Sequence, residues 1–312
     1  MSPPETGQKT LEPQELTLAV NLHSLWLEGM AGGRQAVFQR SRIENARLAR
    51  ARLDRSVMGW LAWPAADLSS AALAGAELWD CDLTLANMAG TDLTAASLER
   101  CRLDSACLSG AGFCESRLDG CSIEEAKAVG SRWLEAILGK VRFSGSELRH
   151  AGFHHAKLIE CIFRDCGLES AVFHKAHLQF CRFRSVRARD ARFTQARLQH
   201  CEFDQSDLSN ARFTSSKLWT CPLVRCDLRR ADFRQADLQG AAFTGSVLAD
   251  ARFAGAKTFG ADFRGADLRG ARELKAQQLA QMRTDETTLL PNGSKGPFMR
   301  YSGAERPLAL AL

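Results

Sequence analysis

The sequence predicts an all-β solenoid flanked by short N- and C-terminal capping helices, and three observations predict it. From Phe38 to Leu268 every fifth residue is large and apolar without a change of phase, apart from Ala128, Ala188 and Thr258. Two residues before each of these stands Ala, Ser, Cys or Thr, apart from Leu61, Val141 and Val186. Cys81, Cys101, Cys121, Cys161, Cys181, Cys201 and Cys221 then fall at multiples of twenty residues, with Val141 completing the series. A helix repeats at about 3.6 residues and a flat strand at about 2.0, so neither produces this pattern. A short period sustained over most of a chain marks a repeat architecture.

Taken in order, residues 1–35 read as a helical cap and lead-in. Pro13 suits a first-turn position, Leu18, Leu22 and Leu25 share a face with Ala19 and Trp26, and Gly29, Gly32 and Gly33 end a helix over 13–28. Residues 36–270 carry the repeat. Between Ser56 and Ala66 it is crowded, with Leu61 at a small position and Trp60, Trp63 and Pro64 nearby, so a bulged coil is expected there. Residues 271–312 read as a second helix over Ala271 to Arg283, with Leu274, Leu279 and Met282 as its apolar side, followed by an extended tail rich in Pro and Gly. Such caps cover the open strand edges that a solenoid leaves at its ends.

Segments such as Ala231-Asp232-Phe233-Arg234-Gln235 and Ala236-Asp237-Leu238-Gln239-Gly240 resemble the pentapeptide-repeat family, whose consensus is Ala-(Asp/Asn)-Leu-X-X. The resemblance implies a right-handed quadrilateral β-helix in which four pentapeptides make one square coil. About twelve coils are expected, stacked at about 4.8 Å into a rod about 55 Å long. Each face needs one large and one small inward residue, and the other three point out. From residue 143 the large positions alternate Phe and Leu (Phe143, Leu148, Phe153, Leu158, Phe163, Leu168, Phe173), which stacks Phe on two opposite faces. The cysteine column, joined by Cys166 and Cys226, occupies the small inward position, where a thiol acts as a compact hydrophobe. Metal or iron–sulfur ligands would have to converge outward, and side chains in register point alongside one another rather than into a disulfide.

The composition, 45% hydrophobic and 25% charged, excludes disorder over the whole length. No apolar run of about 18 residues suggests a membrane span, and Met1 to Glu5 lacks the order of a signal peptide, so a cytoplasmic address is expected. A net charge of +5 permits weak direct contact with nucleic acid without demanding it. No nucleophile–base pair, phosphate loop or dinucleotide fingerprint stands outside the repeat, which points to a non-enzyme with no cofactor and no metal.

A filled interior leaves the outside, where residues twenty apart are neighbours. Lys157, His177, Arg197 and Lys217 then form a basic ladder. The next face adds Arg192 and Arg212, then Arg252 and Arg272, with Asp232 interrupting. Such a ladder suits an acidic partner, or it is a solvated surface balanced by Asp190, Glu202, Asp204 and Asp207. Trp79, Phe180 and Trp219 are read as outward aromatics that could anchor an interface. An acidic run toward the N-terminus is expected to be paired internally, Asp80 with Arg100 and Asp82 with Arg102.

The expected function is a macromolecule-binding scaffold that presents its outer faces to a protein partner. The resemblance supplies two further expectations. A lead-in such as Leu22-His23-Ser24-Leu25-Trp26-Leu27 is similar to that of bacterial proteins associated with secretion systems, as accessory or effector. The alternative is a DNA-mimicking binder of gyrase that protects against fluoroquinolones, from whose acidic pattern this basic chain departs. A terminal helix mediates dimerisation in several family members, so a homodimer through such a helix stands beside a simple cap.

Overall fold

Square turns of twenty residues follow from the alternation of one large and one small inward side chain with an outward corner. The computed structural model describes residues 9–307, so the start read for targeting, Met1 to Glu5, and the last residues of the tail lie outside the described residues. Its contacts divide the chain into two units, Met1–Ala156 and Lys157–Leu312, and both are parallel β-solenoids.

In the first unit the strands Val37–Gln39, Val57–Gly59, Glu77–Trp79, Ser97–Glu99, Arg117–Asp119 and Ile137–Gly139 pair in parallel at steps of twenty, so that Phe38, Met58, Leu78, Leu98, Leu118 and Leu138 stack in one inward column. The other faces are joined by single bridges such as Arg42↔Ala62, Ala62↔Asp82 and Asp82↔Arg102. The last residue of many pentapeptides takes a left-handed conformation, as at Arg100 (φ 52°) and Gly110 (φ 68°), and turns the corner.

Helix α1, Pro13–Leu27, caps this unit. The Glu12 N–H donates to Glu15 Oε2 at 3.1 Å, closing its first turn. Leu16 and His23 are buried, whereas Leu18 is 59% exposed. The expected apolar face is therefore rotated: the helix docks through positions seven apart, one of them a histidine. His23 Nδ1 accepts the Ala36 N–H at 2.9 Å and its Nε2 donates to the Asp54 carbonyl at 3.0 Å, which ties the helix to the first coil. Burial lowers the pKa of His23 and keeps it neutral. Gly33 is required where the chain leaves the helix, because a Cβ there would lie 2.4 Å from the Trp26 nitrogen. Lys9–Thr10 pairs in parallel with Ser41–Arg42 and covers that edge.

The bulge expected between Ser56 and Ala66 is not formed. Leu61 is fully buried and Ala62 bridges both Arg42 and Asp82 in register. Leu61 fits because its column neighbours, Ser41 and Cys81, are small. Trp63 is fully buried, edge-on to Phe38, but its indole N–H and the Ser41 and Ser56 hydroxyls find no hydrogen-bond partner among the described residues.

In the second unit Lys157–Ile159, His177–Gln179 and Arg197–Gln199 pair in register, as do Ile162–Arg164, Arg182–Arg184, Glu202–Asp204 and Leu223–Val224. Beyond Gln199 the first of these faces continues as single bridges, Arg197↔Lys217, Lys217↔Asp237 and Asp237↔Lys257. Regular strands on this repeat position thus mark about nine turns of the chain, and the single bridges carry the same position on to Lys257, so the count differs only slightly from the about twelve coils expected from counting pentapeptides.

Phenylalanines stack as the alternation predicted: Phe163 on Phe183 at 4.7 Å, Phe183 on Phe203 at 4.5 Å and Phe173 on Phe193 at 4.7 Å. The two columns meet edge-on in the middle, as between Phe163 and Phe173 at 6.4 Å and 87°. Every cysteine except the half-buried Cys107 and Cys114 is buried. In the first unit the Cys121 thiol donates to the Leu98 carbonyl at 3.4 Å, and in the second the Cys221 thiol donates to that of Leu198 at 3.2 Å. Burial pushes the thiol pKa of Cys221 up to about 11 and of Cys226 up to about 12, so both stay protonated and inert.

The C-terminal helix expected over 271–283 is only Ala276–Leu279, here α2. The flanking chain instead continues the ladder: Arg272 bridges Arg252, Arg283 bridges Asp262 and Leu289 bridges Asp267. Backbone committed to those bridges cannot also coil. Gln278 caps the last turn by donating to the Phe253 and Ala256 carbonyls, each at 2.9 Å, and its own carbonyl accepts from the Thr258 hydroxyl. That bond accounts for a threonine at a large inward position.

Candidate protein interface

Outward chemistry is set by the second and fourth residues of each pentapeptide, which flank the large inward one. Where the second is Asp and the fourth Arg, the pair neutralises itself. Arg234 forks onto Asp232 with Nε–Oδ1 at 2.9 Å and Nη2–Oδ2 at 2.7 Å, and Arg264 does the same to Asp262 at 2.9 and 2.6 Å. The Asp also accepts the backbone N–H two residues on, at 3.1 Å in both cases. The Arg229 guanidinium holds the Asp227 carboxyl below the usual range, and Arg264 does the same to Asp262.

Where the second residue is Arg and the fourth is Thr or Ala, no such partner exists. Ala191-Arg192-Phe193-Thr194, Ala211-Arg212-Phe213-Thr214 and Ala251-Arg252-Phe253-Ala254 are segments of this kind, at multiples of twenty residues. Arg192, Arg212 and Arg252 are exposed and have no ion pair within 4.0 Å among the described residues. Arg192↔Arg212, Arg212↔Asp232, Asp232↔Arg252 and Arg252↔Arg272 are all bridged in register. This column lines an open trough of about 950 Å³ on the second unit. Thr194, Thr214 and Asn210 stand beside the arginines, the corner residues Asp190, Arg230 and Asp250 close one side, and no aromatic residue lines it. Arg272 leans to Asp250 at 3.6 Å.

The expected ladder is in register too: Lys157↔His177, His177↔Arg197 and Arg197↔Lys217, all exposed. Lys217 lies over the Trp219 ring at 5.0 Å, and Lys257 pairs with the intervening Asp237 at 3.6 Å. Of the expected balancing acids, Asp204 is 8% exposed and held by Arg225 and Arg184, and Asp207 pairs with Arg189 at 3.5 Å. Neither neutralises the ladder. Arg192 and Arg212 belong to the trough, while Lys157, His177, Arg197 and Lys217 do not line it.

The aromatic residues divide. Phe180 is 48% and Trp219 41% exposed, with His200 stacked on Phe180 at 5.0 Å. Trp79, in the first unit, is on an outward position but half-buried: its indole lies over Gly59, where a Cβ would come within 2.4 Å of the ring, and meets Trp60 edge-on at 5.8 Å. The two acids expected to be paired, Asp80 and Asp82, are so. Arg100 forks onto Asp80 at 2.8 and 2.7 Å, and Arg102 reaches Asp82 at 3.5 Å. Sequence reading missed Arg230 and the hydroxyl and amide groups of the trough; the recurring Ala-Arg-Phe-Thr segment and the corner column at 190, 210, 230 and 250 are the signals that mark them.

A model of pentapeptide repeats (8 copies) matches residues 65–100, 206–248, 226–257 and 248–272, and one of a pentapeptide repeat region matches 136–213. The chain belongs to the pentapeptide-repeat family. This pentapeptide-repeat protein is similar in structure to HetL, a pentapeptide repeat protein involved in heterocyst differentiation regulation from the cyanobacterium Nostoc sp. strain PCC 7120, with 21% identity over 87% of this chain and 98% of that one and a TM-score of 0.35. Trypsin-treated QnrB1, a plasmid-mediated fluoroquinolone resistance protein, matches at 18% identity over 67% and 89% of the two chains, TM-score 0.29. Rfr23 from the cyanobacterium Cyanothece 51142 matches at 35% identity over 31% and 62%, TM-score 0.22. No curated protein sequence matches this pentapeptide-repeat protein. None of its described helices is long and apolar enough to cross a membrane.

Proposed function

We propose that this pentapeptide-repeat chain is a non-catalytic scaffold that binds a protein partner through the outer faces of its second unit. The observation that carries this reading is the register of exposed, unneutralised arginines over a filled core. Like charges about 4.8 Å apart repel by about 0.8 kcal/mol per pair even in water-like dielectric, so their alignment is a cost to the free protein that an acidic partner relieves. The filled interior supports the non-catalytic part, since Phe163, Phe173, Phe183 and Phe193 occupy the space a substrate would need.

A bacterial secretion component, met in the cytoplasm, is the partner class that the lead-in suggests. The gyrase-binding alternative draws less support, because the acids a DNA mimic would present, Asp80 and Asp82, are bound to Arg100 and Arg102. The test is affinity capture on the full chain from nuclease-treated lysate, beside a variant carrying Arg192→Gln, Arg197→Gln, Arg212→Gln and Lys217→Gln. One identified protein retained by the native chain and lost by the variant is the expected result. Equal recovery by both chains, or inhibition of supercoiling by the native chain, goes against the reading.

A further inference from the structure

We infer that the arginine trough of the second unit is the docking site for an extended acidic segment of the protein partner; this deepens the scaffold reading and rests on it. The guanidiniums of Arg192, Arg212 and Arg252 are exposed and hold no ion pair among the described residues, whereas nearby Arg234 is spent on Asp232. Their planar forks match carboxylates in two-point geometry. The trough, at about 950 Å³, has the size of an ordinary ligand cleft and takes several residues of a chain.

Two features select a peptide over a nucleic acid. Sites that hold single strands pair a basic groove with aromatic platforms for the bases, and no aromatic residue lines this trough. Duplex DNA carries a charge about every 1.7 Å, which would set phosphates against Asp190, Asp232 and Asp250 as well as against the arginines. An extended peptide is sparser, with same-side carboxylates about 6.7 Å apart. Its carboxylates reach Arg192, Arg212 and Arg252 on their long side chains while a backbone N–H faces the intervening Asp232, and Thr194, Thr214 and Asn210 supply further donors and acceptors. The patterned column, arginine twice, aspartate once, then arginine twice, therefore favours a partner whose negative charges are sparse.

The experiment measures fluorescence anisotropy with the full chain and two probes: a labelled peptide of about ten residues alternating Glu and Ser, with same-side carboxylates about 6.7 Å apart, and a duplex DNA of matched total charge. Saturable peptide binding is expected, weakened by salt and weakened about tenfold or more by the triple change Arg192→Gln, Arg212→Gln and Arg252→Gln. A double change in the first unit, Arg117→Gln and Arg132→Gln, is expected to leave it within about twofold, and circular dichroism to be unaltered because all five side chains point outward. Tighter binding of the DNA probe overturns the inference, as does absence of peptide binding or equal weakening by both variants. If the peptide fails while lysate capture still returns a specific partner, the trough assignment falls and the scaffold reading stands; failure of capture alone removes the scaffold reading.

Discussion

At the same repeat positions the two units carry different outward residues. In the first, the position of the trough column holds Arg52, Ala72, Asp92, Gly112, Arg132 and Gly152; in the second it holds Val172, Arg192, Arg212, Asp232, Arg252 and Arg272. The ladder position likewise runs Val37, Val57, Glu77, Ser97, Arg117 and Ile137 in one unit, and Lys157, His177, Arg197, Lys217, Asp237 and Lys257 in the other. Arg52 pairs with Glu28 at 2.6 Å and Arg132 stands between glycines, so the first unit collects no run of free cations on that column. The interiors differ as well: Leu and Met dominate the early coils, whereas the second unit stacks Phe on Phe. A common backbone thus tolerates independent choices inside and outside, because inward residues answer to packing and outward ones to solvent or a partner.

The largest expected effect breaks the comparison of cores. Phe193 is fully buried between Phe173 and Phe213 and edge-on to Phe183 and Phe203. Phe193→Ala is expected to cost about 3–5 kcal/mol in chemical denaturation, exceeding Leu98→Ala in the first unit by about 1 kcal/mol for the lost ring contacts. Equal costs would mean that the stacked rings add nothing beyond burial.

A second prediction concerns the cap of the first unit. Folded His23 takes up a proton less readily than the unfolded chain, so its contribution is fully present above the unfolded value near about 6.5 and is lost as pH falls from there toward the lowered folded value. Protonated His23 could no longer accept the Ala36 N–H. Hydrogen exchange is expected to show residues 13–39 opening first as the pH is lowered. His23→Gln should flatten that dependence, and an unchanged profile would separate the cap from this histidine.

Buried hydroxyls sharpen the contrast at smaller scale. In the second unit the Ser246 hydroxyl donates to the Leu223 carbonyl at 2.7 Å and accepts the Cys226 N–H at 2.9 Å; in the first, the Ser56 hydroxyl has no partner among the described residues. Ser246→Ala is expected to destabilise by about 1–2 kcal/mol, and Ser56→Ala to be neutral or stabilising, in the same denaturation assay. The smallest effect belongs to the surface. Arg192→Gln with Arg212→Gln should raise stability by up to about 0.8 kcal/mol by relieving repulsion, with the gain fading in salt; a loss would mean that the arginines serve the fold.

Much of the molecule is legible in residue types alone. The period of five determines the solenoid, and the cysteine spacing its twenty-residue coil, because an inward position admits only side chains of one size and a stacked column repeats its demand at every turn. The ion pairs of Asp80 and Asp82 also follow from register. Tertiary structure decided the rest. Leu61 sits without distortion because its column supplies the small neighbours Ser41 and Cys81, and a run expected to be helical after Ala271 is drawn into bridges by strand edges left open at Asp262 and Asp267. His23, and not Leu18, became core because the docking angle of α1 was set by the carbonyl and amide of the first coil. Which arginines remain free was settled by side-chain geometry: an Asp two residues before an Arg lies within reach of its fork, and a Thr two residues after an Arg offers no charge to meet it.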